Sequence, residues 1–112
     1  MQKTENLESG KYYHIYNRGI NGENLFKENR NHEYFLMLYT KHIDPIAETL
    51  AWCLLKNHFH LLVRIKTFEE ILESHKEYEI KKIIPTHQSF GNLFNAYTKA
   101  INKGYNRHVA FF

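Results

Sequence analysis

Hydrophobic and polar positions along the chain change period several times, and each change marks an element. Residues 11–18 (KYYHIYNR) are rich in strand formers and stop at Gly19, with a second turn signal at Asn21-Gly22. They predict a first strand after a polar tail over residues 1–10. Within residues 31–42, Tyr34, Phe35, Leu38 and Tyr39 fall at helical spacing, Asn31 is suited to cap that helix, and Asp44-Pro45 stops it. Residues 48–55 are mostly apolar and residues 58–66 alternate. Lys56-Asn57 between them reads as a tight turn, so the two strands form a hairpin. The charged stretch 69–82 reads either as one weak helix or as a helix followed by a loop, closed by Pro85. Ser89 then caps a helix with a single apolar stripe of Phe90, Leu93, Phe94, Tyr97 and Ile101. Gly104 is the left-handed residue expected after it. Residues 108–112 are apolar and read as the start of another strand.

The order strand, helix, strand, strand, helix is that of an α+β, ferredoxin-like or RNA-recognition-like fold. It implies an antiparallel sheet with both helices on one face. A length of 112 residues suits one domain, here residues 11–112, and no linker, repeat or low-complexity tract divides it.

The third predicted strand separates into two faces, because side chains alternate with period two. Phe59, Leu61, Val63 and Ile65 form an apolar row that should meet the helices. His58, His60, Leu62, Arg64 and Lys66 form the opposite row. Two histidines at i, i+2 stand about 6–7 Å apart along a strand, close enough to share one metal ion. The same spacing also suits two exposed surface histidines. On the first strand Tyr12, His14, Tyr16 and Arg18 alternate with Tyr13, Ile15 and Asn17. If Ile15 faces the helices, the first set joins His58 and His60 on the open face. Rings that stack bases and cations that meet phosphates suit single-stranded nucleic acid, although tyrosine is also common in any strand.

Composition narrows the classes. Cys53 is the only cysteine, which excludes an intrachain disulfide or a cysteine zinc cluster, and its apolar surroundings predict a core position. No apolar run approaches the roughly 18 residues of a membrane span, and the N-terminus lacks a signal-peptide pattern, so a cytoplasmic protein without membrane contact is expected. The net charge of +3 permits a nucleic-acid partner without requiring one. The 8 histidines and 8 tyrosines are the larger departure from ordinary usage.

Three segments together carry a resemblance. Tyr13-His14-Ile15-Tyr16-Asn17-Arg18-Gly19, the hairpin Trp52 to Val63 around Asn57-His58-Phe59-His60, and Tyr97 to Tyr105 resemble the single-tyrosine HUH transposases of insertion sequences, in particular the REP-associated branch. HUH denotes histidine, bulky apolar residue, histidine, here His58, Phe59 and His60. Lys56 departs from the family, where proline is common. The resemblance implies that His58 and His60 hold Mg²⁺ or Mn²⁺, which polarises a scissile phosphate. It implies single-stranded hairpin DNA as substrate, a 5′-phosphotyrosine intermediate and a homodimer. DNA contacts are expected from Tyr12, His14, Tyr16, Arg18, Arg64 and Lys66.

In relatives the nucleophilic tyrosine lies on a helix after the strand whose place residues 109–112 occupy here. The expectation is therefore a chain truncated before its tyrosine helix, able to bind metal and DNA without forming a covalent adduct. Tyr105 and Tyr97 are the substitutes to weigh, with Tyr97 on the apolar stripe. Two other readings compete. One is a metal-free single-stranded nucleic-acid-binding module with an RNA-recognition-like fold. The other is a replication initiator or relaxase of the same histidine chemistry, whose chains are usually longer.

Overall fold

The computed structural model describes residues 7–20, 23–74 and 86–105. Its elements are β1 (Tyr12–Arg18), α1 (Asn29–His42), β2 (Ala47–Leu55), β3 (His58–Ile65), α2 (Phe68–Ser74) and α3 (Thr86–Gly104). β1 and β2 each pair antiparallel with β3, giving the order β1-β3-β2. β1 and β2 thus run parallel on either side of β3 with α1 between them in sequence. That is the split strand–helix–strand unit of a ferredoxin-like arrangement.

The alternation of β3 decides which face is covered. Phe59, Leu61, Val63 and Ile65 are all buried. The Phe59 ring lies 5.5 Å from Phe35 of α1 and 5.5 Å from Phe94 of α3, so both helices cover the same face. The stripe of α3 is buried along its whole length, through Phe90, Leu93, Phe94, Tyr97 and Ile101. These rings and branched chains supply the apolar burial that holds the sheet against its helix layer.

Helix ends depart from the sequence expectation. The N-cap of α1 is Glu28, not Asn31, which occupies the third helical position. From there the Asn31 side-chain oxygen accepts the N–H groups of Lys27 (2.8 Å) and Glu28 (2.9 Å). Asn31 secures the chain entering the helix, so it acts at the correct end from a different position. α3 starts at Thr86, and Ser89 is a buried residue within it rather than its cap. Gly104 is the last residue of α3 and is not left-handed; the described glycine with positive φ is Gly10 (78°). Of the charged stretch, the part up to Ser74 is helical. Its remainder and the strand expected at 108–112 lie outside the described residues.

Cys53 is exposed, which corrects the expectation of a core position. An apolar run signals burial only where both faces and both edges of the strand are covered. β2 is an edge strand among the described residues, and register puts Cys53 opposite His60 on the face without helices.

Candidate functional site

The register of β1 against β3 sets Tyr16 opposite His60, Arg18 opposite His58, and His14 opposite Leu62. Opposed residues share a face, so the open side of the sheet gathers His14, Tyr16, Arg18, His58 and His60 in one patch. The imidazoles of His58 and His60 have centroids 5.2 Å apart and are nearly perpendicular, at 89°. Tyr16 packs 5.2 Å from His14 and 5.9 Å from His60. Nε2 of His14 lies 2.9 Å from Nδ1 of His60 in a hydrogen bond between the rings. Nδ1 of His58 lies 2.8 Å from Oδ1 of Asn57. Desolvation by its neighbours lowers the pKa of His60, and His14, His58 and Arg18 add to the effect, which favours the neutral ring.

Backbone contacts fix the end of the hairpin beneath the patch. The Asn57 carbonyl accepts the Gly19 N–H at 2.8 Å, and the Lys56 carbonyl accepts those of Leu25 and Phe26 at 2.9 and 3.0 Å. A Cβ at Gly19 would lie 2.0 Å from the Glu23 carbonyl oxygen, so the chain leaving β1 passes too close for any side chain there.

The other expected contacts divide. Tyr12 and Tyr16 are 62% and 66% exposed, open to a ligand on this face. Arg18 has no ion-pair partner among the described residues, which leaves its guanidinium available to an anion. Arg64 is committed: its two terminal nitrogens meet Glu70 at 3.0 and 2.6 Å, and its Nε lies 3.5 Å from Glu48. Lys66 lies just beyond β3, and its ammonium donates to the Asp44 carbonyl at 2.9 Å, towards the turn after α1. Neither cation joins the histidine patch as alternation suggested. Sequence spacing registers the face of a residue but not the carboxylate that a following helix will bring to it.

The Arg64–Glu70 pair carries a pH prediction. The Arg64 guanidinium, with help from Thr67, holds Glu70 down at about 2 against an ordinary 4.5. A carboxyl lowered in the folded state stabilises it above the unfolded value, and that contribution is lost as pH falls from 4.5 towards 2. Glu70→Gln should therefore flatten the fall of melting temperature across that window. An unchanged acid profile in thermal denaturation would remove Glu70 as its source.

The two substitute tyrosines are both accounted for elsewhere. Tyr97 is fully buried and its hydroxyl donates to the Leu25 carbonyl. Tyr105 packs against the core on the helix side, with its hydroxyl held by Glu28 and Asn31 and its ring beneath Lys27 and Arg30. Neither is part of the open-face patch.

Among the described residues no group of three or more histidine, cysteine, aspartate or glutamate side chains is arranged to hold a metal ion. The donor set present is the His58–His60 pair, a two-nitrogen partial site whose remaining positions a phosphate or water would have to fill. Two imidazoles suit Mn²⁺ better than Mg²⁺. No helix among the described residues is long and apolar enough to cross a membrane. No family model, curated protein or solved structure matches the chain.

Proposed function

We propose that this chain is a DNA-binding domain of the single-tyrosine HUH transposase kind, acting on single-stranded hairpin DNA. The observation that carries the reading is the patch of His14, Tyr16, Arg18, His58 and His60 on an open sheet face, which an ordinary solvated strand has no need to assemble. Its chemistry has three parts. Tyr12 and Tyr16 offer exposed rings for unpaired bases. Arg18 meets a backbone phosphate beside the histidines. His58 and His60 are the residues that would hold Mg²⁺ or Mn²⁺. A divalent ion there supplies charge stabilisation to a phosphate and to its leaving oxygen.

The resemblance also implies strand cleavage, in which a tyrosine oxygen–phosphorus bond forms as the bond from phosphorus to the leaving 3′ oxygen breaks. The hydroxyl must lie within about 3–3.5 Å of the phosphorus and in line. Tyr97 and Tyr105, tied into the helix layer, are not offered for that role. A homodimer belongs to the same proposal. What supports it is the β2 edge, which is unpaired among the described residues and exposes Leu50, Trp52 and Leu55.

Binding to a labelled DNA hairpin should weaken steeply with salt, since its contacts are mainly to phosphate. Arg18→Glu should reduce affinity about equally across sequences and lower the salt slope by about 1. Tyr16→Ala should cost about 1–3 kcal/mol, the usual worth of one stacked base. Fluorescence anisotropy at several salt concentrations reads both. Unchanged binding in both variants would reject this face, and full DNA binding with no Mn²⁺ affinity would favour the metal-free module.

A further inference from the structure

The two histidines of the proposed site differ from surface histidines in one respect: each has its Nδ1 engaged by a different neighbour. Asn57 Oδ1 faces Nδ1 of His58 at 2.8 Å, and His14 Nε2 faces Nδ1 of His60 at 2.9 Å. The His14 and His60 rings are inclined by only 17°, with centroids 5.0 Å apart. The two rings are stacked, and these two nitrogens are their hydrogen-bonding contact. Among the described residues no protein group bonds Nε2 of either His58 or His60.

We propose that Asn57 and His14 are positioning residues that hold His58 and His60 in the Nδ1–H tautomer, turning both Nε2 lone pairs over to a ligand on the open face. For His58 the chemistry of the partner is decisive. An amide oxygen only accepts, so the ring nitrogen facing it carries the proton, and the lone pair belongs to the other nitrogen. For His60 the same arrangement requires His14 to accept through Nε2 and carry its own proton on Nδ1. That step rests on the metal-holding role assigned to His60 above. Histidines that ligate metals almost always give their second N–H to such a partner, which fixes ring orientation and raises the basicity of the ligating nitrogen. Here one partner comes from the hairpin turn and the other from the neighbouring strand. Each imidazole is thus oriented from a separate part of the backbone. His14, expected to touch DNA, is thereby assigned to orienting His60.

Long-range ¹H–¹⁵N correlation spectra of the metal-free, full-length protein read the tautomers directly. Both His58 and His60 should appear as Nδ1–H, although an unrestrained neutral histidine favours Nε2–H. Asn57→Leu should release His58 and His14→Phe should release His60. Each should weaken Mn²⁺ binding, measured by calorimetry, by about 10–100-fold. Asn57→Asp and His14→Gln keep an accepting atom and should retain both the tautomer and affinity within a few-fold, which a merely structural role would not predict. An Nε2–H signal from either ring in the unsubstituted protein overturns the inference, as do unchanged tautomers in Asn57→Leu and His14→Phe. Correct tautomers in a protein that binds no Mn²⁺ would uphold the positioning and defeat the metal-dependent function instead.

Discussion

Replacing either His58 or His60 by alanine is expected to abolish Mn²⁺ binding, lowering affinity by more than about 100-fold, since loss of an outer partner alone costs 10–100-fold. The pair stands side by side on β3 at 5.2 Å between ring centroids, and no third described side chain completes the set. With two donors among the described residues, the site has no third described ligand to fall back on when one is removed. Both residues lie on the face without helices, opposite the buried row of Phe59 and Leu61. Their truncation should therefore cost only about 0.5–1.5 kcal/mol, the usual net worth of the hydrogen bond each ring makes. Calorimetry with Mn²⁺ and a thermal melt of the same sample separate the two effects. Equal Mn²⁺ affinity in the His58→Ala, His60→Ala double variant would show that the ion binds elsewhere. The ion should also bind more tightly than Mg²⁺, because neutral imidazole is a poor match for the harder cation.

Much of this site is legible in the sequence because strand parity is a strong constraint. Once Phe59, Leu61, Val63 and Ile65 are recognised as one buried row, His58 and His60 have no other face to occupy. The same argument applied to β1 brings His14, Tyr16 and Arg18 alongside, and the register agrees. What parity does not carry is lateral position. Cys53 sits in an apolar run, yet it is exposed because β2 has no neighbour on its far side among the described residues. Arg64 alternates correctly with the histidines, yet the path of α2 delivers Glu70 to its guanidinium. By sequence Asn57 reads as a turn residue alone. Its side chain becomes informative only when the ring of His58 is seen against its amide oxygen. Capping failed in a related way: Asn31 carries the right chemistry for a helix start, and the chain uses it from the first turn inwards.

Tyr97 is where the stability of the domain and the question of the nucleophile meet. Its ring lies 5.3 Å from Phe35, edge to face, and 5.5 Å from Phe26, and its hydroxyl reaches the Leu25 carbonyl in the segment that leads into α1. A single side chain thus ties α3 to α1 and to the stretch pinned beneath the histidine hairpin. Tyr97→Phe keeps the ring and removes the hydroxyl that donates to that carbonyl, an expected loss of about 1–3 kcal/mol for a buried hydrogen-bonding group deprived of its partner. Tyr97→Ala removes the ring as well and should cost about 3–5 kcal/mol, a large part of the 5–15 kcal/mol that holds an ordinary domain folded. Denaturant titration measures both. On the proposed reading the folded Tyr97→Phe protein should match the unsubstituted chain in affinity for hairpin DNA and Mn²⁺, because the Tyr97 hydroxyl faces the core, on the other side of the sheet from the proposed binding face. Any covalent band that the unsubstituted chain gives with hairpin DNA and Mn²⁺ on denaturing electrophoresis should likewise persist in Tyr97→Phe. A band present in the unsubstituted protein and lost in Tyr97→Phe, with folding and DNA binding intact, would mean that α3 opens to present this tyrosine and that the buried position is a resting state.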